Sequence, residues 1–155
     1  MHHHGYLWVG PKQLFDEEAL RRPPHPQPPS SGSRPELVRR YRDVVVAFPV
    51  SDLPPIETAH WLMKPRTSVR GTWQEPQAAA GWLRERLTEY APRFTPGLPA
   101  DGTCLTTLVD SAAQRVGWGG DVSLGYYLER PMFLSLALVT CSPNRAAADL
   151  ACPVT

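Results

Sequence analysis

The chain has 155 residues, of which 42% are hydrophobic and 20% are charged, and this size predicts one globular domain whose core needs no disulfide or metal. The net charge of +1 at pH 7 argues against strong attraction to nucleic acid or to an anionic membrane surface. Cys104, Cys141 and Cys152 are odd in number and lack Cys-x-x-Cys spacing, which indicates reduced thiols rather than a disulfide framework or a zinc knuckle.

The compartment follows from the same observations. No run of apolar residues approaches the roughly 18 that a membrane span requires, and no apolar stretch typical of a secretory signal follows the N-terminus. We therefore expect a cytoplasmic protein with no membrane partner.

The histidine run at residues 2–4 has two interpretations. One is the remnant of an affinity tag, which would have no bearing on the fold. The other is a native terminus, where the free amine and His3 can chelate Cu(II) or Ni(II) in a tetragonal nitrogen site. Because such termini bind these metals whether or not biology uses them, the sequence assigns no metal ligands and no cofactor.

The first 35 residues are predicted to be an N-terminal segment followed by a linker. Residues 6–10 are β-prone and end at a proline, which favours a short edge strand within an N-terminal segment, residues 1–21. One or two helical turns follow, and residues 22–35, rich in proline and serine, are predicted to be a linker or mobile loop. A single domain is expected over residues 36–155.

Three strands are expected at the start of that domain. Residues 43–50 are apolar at successive positions, which predicts a strand covered on both faces. Residues 58–63 and 67–73 are weaker strand candidates.

Two amphipathic helices come next, at about residues 75–91 and 103–116. Pro76 suits the first turn of the first helix, and Pro92 ends it. The second helix has apolar residues at offsets 0, 3, 4, 7, 8 and 11 from Leu105, and Asp101 is predicted to cap it.

A β-hairpin at about residues 121–141 closes the domain. Alternation in its first strand puts Val122, Leu124 and Tyr126 on one face, whereas its second strand is apolar on both faces and should be central. The fold class predicted is α+β: a mainly antiparallel sheet with the two helices packed on one face.

The glycine-rich stretch after the second helix is predicted to be a helix cap and turn. Phosphate-binding glycine loops precede a helix, whereas here the helix precedes the glycines. Gly117 is therefore expected to adopt the left-handed conformation that ends the helix. A helix cap and turn do not require Trp118 or Tyr127. Exposed aromatic residues are enriched in binding patches, so these two residues are candidates for contact with a partner.

Residues suited to catalysis are few. His60 is the one histidine outside the N-terminal run and the proline-rich segment, so an enzyme would have to use it. Its partner would be Cys104, which opens a helix, or an aspartate such as Asp110. A helical conformation would make Glu57 a neighbour of His60, whereas the strand predicted there would separate the two side chains.

We therefore predict a non-enzymatic binding or accessory protein that recognises a protein partner or a small molecule; a homodimer is also compatible with the pattern. Two alternatives stay open: the small enzyme just described, and a weak nucleic-acid binder that uses residues 34–42. The residues expected to bind the ligand or partner are His60, Trp61, Arg66, Trp118, Tyr126 and Tyr127. The arginines of the nucleic-acid alternative are Arg34, Arg39, Arg40 and Arg42, which surround Tyr41.

Overall fold

The fold is α+β, with four antiparallel strands in one sheet. The computed structural model describes residues 1–96 and 102–155, so the cap predicted at Asp101 lies outside the described residues. The strands are β1 (His2–Pro11), β2 (Gly71–Trp73), β3 (Val122–Tyr127) and β4 (Met132–Cys141), and their order across the sheet is β2-β1-β4-β3. The helices are α1 (Lys12–Phe15), α2 (Pro35–Ala47), α3 (Pro76–Tyr90) and α4 (Gly102–Gly117).

Helices α3 and α4 cover one face of the sheet. Side chains that alternate along the strands, such as Leu134, Leu136 and Leu138 of β4, contact Leu83 of α3 and Val116 of α4 in one apolar cluster. Each of these five side chains is fully buried. Both predicted helices and the closing hairpin are confirmed, as is the central position of β4 in the hairpin and sheet.

The opposite face of the sheet is covered by irregular chain rather than by long helices. Tyr6 stacks on Trp61 with ring centroids 4.6 Å apart. Trp61 belongs to a 3₁₀ helix, Thr58–Met63, that crosses this face. The tail beyond Cys141 returns over the same face, since Cys152 packs into the same cluster.

The strand predictions in the first half of the chain need correction. Residues 43–50 do not form a buried strand, because most of them belong to α2, which begins with Pro35 at a position where its missing N–H is not needed. The apolar residues of α2 recur at helical spacing, and none of its residues is fully buried. Thr58–Met63 is a 3₁₀ helix rather than a strand, and of residues 67–73 only Gly71–Trp73 pair in the sheet.

Strand β1 is longer and more central than predicted. It starts at His2, and it lies between β2 and β4 rather than at an edge. The ladder with β4 is continuous from His2 opposite Cys141 to Pro11 opposite Met132. The histidine run is therefore part of the central sheet; His3 and His4 are fully buried, unlike an affinity tag.

The glycine-rich stretch is a helix cap, as predicted, but at a different residue. Gly117 is the last residue of α4, and Gly119 has the positive φ of 84°. The Gly120 N–H donates to the Arg115 carbonyl and the Gly119 N–H to the Val116 carbonyl, the two bonds of a Schellman motif. Across residues 1–96 and 102–155, no helix is both long and apolar enough to cross a lipid bilayer.

Candidate metal centre

The pairing of β1 with β4 puts two histidines and a cysteine side by side. His2 and His4 are two residues apart in a strand, so their side chains point to the same face of the sheet. Cys141 lies directly opposite His2 in the ladder and shares that face. The His2 and His4 rings contact each other edge to face, with centroids 4.7 Å apart.

The C-terminal tail adds a second cysteine to these three residues. Asn144, which is buried, anchors the start of the tail: its amide donates to the Asp121 carboxylate at 3.0 Å and to the Thr140 carbonyl at 2.7 Å. The Asn144 side-chain oxygen in turn accepts the Ala146 N–H. This turn directs the tail back over the sheet, where Cys152 reaches the two histidines.

We call His2, His4, Cys141 and Cys152 the Cys₂His₂ cluster. Each of its members offers one ligand atom, and these four atoms all lie within 4.8 Å of one another. His2 Nε2 is 3.1 Å from Cys152 Sγ and 3.4 Å from Cys141 Sγ. His4 Nε2 is 3.4 Å from Cys152 Sγ and 3.5 Å from Cys141 Sγ.

These distances fit a tetrahedral metal ion. With bonds of about 2.3 Å to sulfur and about 2.0–2.1 Å to nitrogen, tetrahedral angles separate a sulfur from a nitrogen by about 3.5 Å. The four nitrogen–sulfur distances are 3.1, 3.4, 3.4 and 3.5 Å. An ion can therefore enter the centre of the cluster with only small movements of the ligands.

The orientation of His4 favours ligation through Nε2. Its Nδ1 lies 2.8 Å from the Thr72 hydroxyl on β2. When Nδ1–H donates to this hydroxyl, Nε2 carries the lone pair and faces the thiols, an arrangement that usually accompanies metal-bound histidine. Burial, and then the nearby His2 and His3, lowers the pKa of His4 to about 4, so the ring is neutral at pH 7 and loses no proton on binding a metal.

The thiol of Cys141 is protonated at neutral pH. Burial, followed by the hydrogen bond and the charge of Cys152, raises the pKa of Cys141 to about 12. A metal bound here would stabilise the thiolate, so its binding at neutral pH would release the proton of this thiol.

Tyr6 forms an inner wall of the Cys₂His₂ cluster. Its side chain is fully buried, and its hydroxyl has no hydrogen-bond partner within the described residues. Burial, and then the charges of Cys141 and Cys152, raises the pKa of Tyr6, so the phenol stays protonated beside the thiols.

His3 points to the other face of the sheet. Its Nδ1 is 2.9 Å from the Thr140 hydroxyl, which itself donates to the Gly120 carbonyl. The terminal chelate considered from the sequence would need His3 to turn in toward its own amide and amine, whereas the structure buries its ring beside Thr140. The histidines that converge are the first and the third of the run.

The six residues predicted to bind a ligand or partner lie in separate places. Trp61, in the 3₁₀ helix Thr58–Met63, is buried against Tyr6 of β1. Tyr126 faces the helices on the opposite side of the sheet and stacks on Phe94. Trp118 caps α4 and is 73% exposed, while Tyr127, at the far end of β3, is 52% exposed. His60 is half-buried and Arg66 is exposed in a short 3₁₀ turn.

The residues of the enzyme alternative are also apart. His60 Nε2 lies 3.5 Å from the Glu57 carboxylate, because Thr58–Met63 is helical and not a strand as predicted. Cys104 and Asp110 are exposed on α4, on the opposite side of the sheet from His60. The arginines of the nucleic-acid alternative, Arg34, Arg39, Arg40 and Arg42, are exposed on and before α2.

Comparison of the chain with protein families, curated proteins and solved structures finds no match. The candidate site therefore depends on the geometry alone. Sequence reasoning missed it because its members are up to 150 residues apart and have no spacing signature. The signal that could have found it was the His-x-His alternation of His2 and His4 in a strand, combined with two cysteines near the other terminus.

Proposed function

We propose that this protein binds a thiophilic transition metal, Zn²⁺ in the first place, at the Cys₂His₂ cluster. The observation that supports this most is the convergence of two imidazole nitrogens and two sulfurs within 4.8 Å of one another. Two sulfurs and two nitrogens in a tetrahedral arrangement are the donor set that zinc prefers in structural sites.

A structural role follows from the number of ligands. Four protein ligands fill a tetrahedral site, which leaves no position for a substrate or an activated water. The ion would cross-link β1, β4 and the C-terminal tail, so its binding free energy would stabilise the fold. This supports the non-enzymatic interpretation, in which the zinc-bound domain binds a partner or serves an accessory role.

A reducing compartment suits the same proposal. Two ligating thiols must stay reduced to hold the ion, and the cytoplasm keeps thiols in that state. We therefore extend the proposal to a cytoplasmic location. Partner recognition would use exposed aromatic residues, and Trp118, which is 73% exposed beside the α4 cap, is the strongest choice.

Titration with Co²⁺ tests the metal proposal. Co²⁺ in a tetrahedral site with thiolate ligands gives visible ligand-field and charge-transfer bands that zinc then abolishes. The protein should carry no affinity tag. We expect one equivalent of Co²⁺ to saturate the bands in the wild type and in the matched controls Cys104→Ser and His25→Ala, whose residues lie outside the Cys₂His₂ cluster. Cys152→Ser and His4→Ala should lose the bands, and equal bands in all five proteins would contradict the assignment.

A further inference from the structure

The two cysteines of the Cys₂His₂ cluster are held differently. Cys141 ends strand β4 and is fully buried. Cys152 belongs to the tail, which has no helix or strand after Cys141. The two sulfurs are among the atoms that lie within 4.8 Å of one another, so a bond between them requires a movement of less than about 3 Å. The irregular tail can supply that movement without disturbing the sheet.

The two cysteines also differ in exposure to solvent. Cys152 exposes 9% of its surface and His2 is half-buried, whereas His4 and Cys141 are fully buried. Cys152 is therefore the more accessible of the two cysteines to a small oxidant. A second sulfur next to an oxidised one captures the sulfenic acid as a disulfide before further oxidation.

We infer that the centre is a redox-sensitive metal site, in which hydrogen peroxide converts Cys141 and Cys152 to a disulfide and expels the metal. This inference depends on the zinc proposal above. It identifies the two cysteines as a site of oxidation and oxidation as the condition that releases the metal.

The chemistry balances in two steps. The Cys152 thiolate attacks one oxygen of the peroxide, the O–O bond breaks, and the sulfenic acid forms while hydroxide leaves and takes a proton from solvent as water. The Cys141 thiolate then attacks the sulfenic sulfur, the S–S bond forms, and the hydroxyl leaves with a second proton as water. The two thiolates lose two electrons to the peroxide. Zn²⁺ then dissociates because it has lost its two anionic ligands, and its own charge does not change.

The tail stays attached to the sheet in both states. In the reduced form the metal joins Cys152 to Cys141, and in the oxidised form the disulfide joins the same two residues. Oxidation should therefore change the metal content of the protein while leaving its tail in place.

The test monitors zinc and thiols together. Tag-free protein is loaded with zinc, its zinc content is measured, and it is then treated with hydrogen peroxide in the presence of a chromophoric zinc chelator. Intact mass and peptide mapping without reductant locate the disulfide. We expect wild type and Cys104→Ser to release their full zinc equivalent as one Cys141–Cys152 disulfide forms, and a dithiol reductant with added zinc to reverse both changes. Cys152→Ser should form no intramolecular disulfide at Cys141.

The possible failures are distinct. If the untreated protein takes up no zinc, the zinc proposal fails and the inference with it. If zinc binds but stays bound under peroxide that oxidises Cys104, the inference alone is overturned. Release of zinc with Cys141 and Cys152 in sulfinic or sulfonic form, unlinked, also overturns it, because the disulfide is the product that the geometry requires.

Discussion

Thr72 provides a sensitive test of how the Cys₂His₂ cluster is organised, because it touches a ligand without being one. Its hydroxyl lies 2.8 Å from Nδ1 of His4 and fixes the ring so that Nε2 faces the two sulfurs. Thr72→Val keeps the shape and the β-propensity of the side chain while removing this acceptor. Loss of such a contact lowers metal affinity by about 10- to 100-fold.

The expected loss is at the lower end of that range. Thr72 is exposed, so water can replace part of the missing hydrogen bond. We therefore predict an approximately tenfold weaker affinity for zinc, or about 1.4 kcal/mol. The assay is competition with a chromophoric chelator at neutral pH. Thr72→Ser should recover the affinity, and the matched control Thr106→Val, which alters an exposed hydroxyl on α4, should leave it unchanged.

The result that refutes this reasoning is specific. Suppose that His4→Ala abolishes zinc binding while Thr72→Val binds zinc as tightly as wild type. This result would show that the Thr72 hydroxyl does not orient His4. Equal loss in Thr72→Val and Thr106→Val would show that the assay reports general destabilisation and not ligand orientation.

Three further predictions concern stability. Burial lowers the pKa of Lys64 from 10.5 to about 8, so the unfolded chain binds more protons than the folded chain between these pH values. In urea titrations, the free energy of unfolding of wild type should therefore rise by about 3 kcal/mol from pH 8 to 10.5 relative to that of Lys64→Met. Parallel pH profiles of the two proteins would contradict this. Asn144→Ala should cost about 2–3 kcal/mol in the same titrations, since it leaves several buried polar groups unpaired, and should weaken zinc binding because the tail carries Cys152. Tyr6→Phe removes a buried hydroxyl for which the described residues offer no partner, so thermal unfolding of the metal-free protein should show a gain of about 1 kcal/mol, and a loss would indicate that the hydroxyl is hydrogen-bonded.

The parts of the fold that local periodicity determines could be predicted from the sequence. The apolar stripe from Leu105 fits α4 because side chains three and four residues apart share one face of a helix. The alternation in β3 likewise reflects one covered face, and the apolar residues on both sides of β4 reflect two covered faces. In each case the signal is contained within one element.

The errors arise where two elements must be considered together. The valine-rich residues 43–50 favour a strand by composition, but Pro35 and the helix formers that follow it start a helix that continues through the valines. His2 and His4 carry no local strand signal, and their position in the sheet is set by the ladder with β4.

The proposed metal ligands are the extreme case. His4 and Cys152 are separated by 148 residues, so only the register of β1 with β4 and the return of the tail bring them together. Motif spacing detects ligands that one loop or one helix presents, and it cannot detect a site assembled by tertiary pairing. For this reason the sequence indicated only reduced thiols, with no metal site, at the cysteines.

The central claim is that two sulfurs and two imidazole nitrogens bind one zinc ion. X-ray absorption at the zinc edge, on tag-free protein loaded with one equivalent of zinc, measures this coordination directly. The structure predicts two sulfur neighbours at about 2.3 Å and two nitrogen neighbours at about 2.0–2.1 Å. Zinc coordinated by nitrogen and oxygen atoms alone would contradict the claim. The four residues would then be an ordinary hydrogen-bonded cluster.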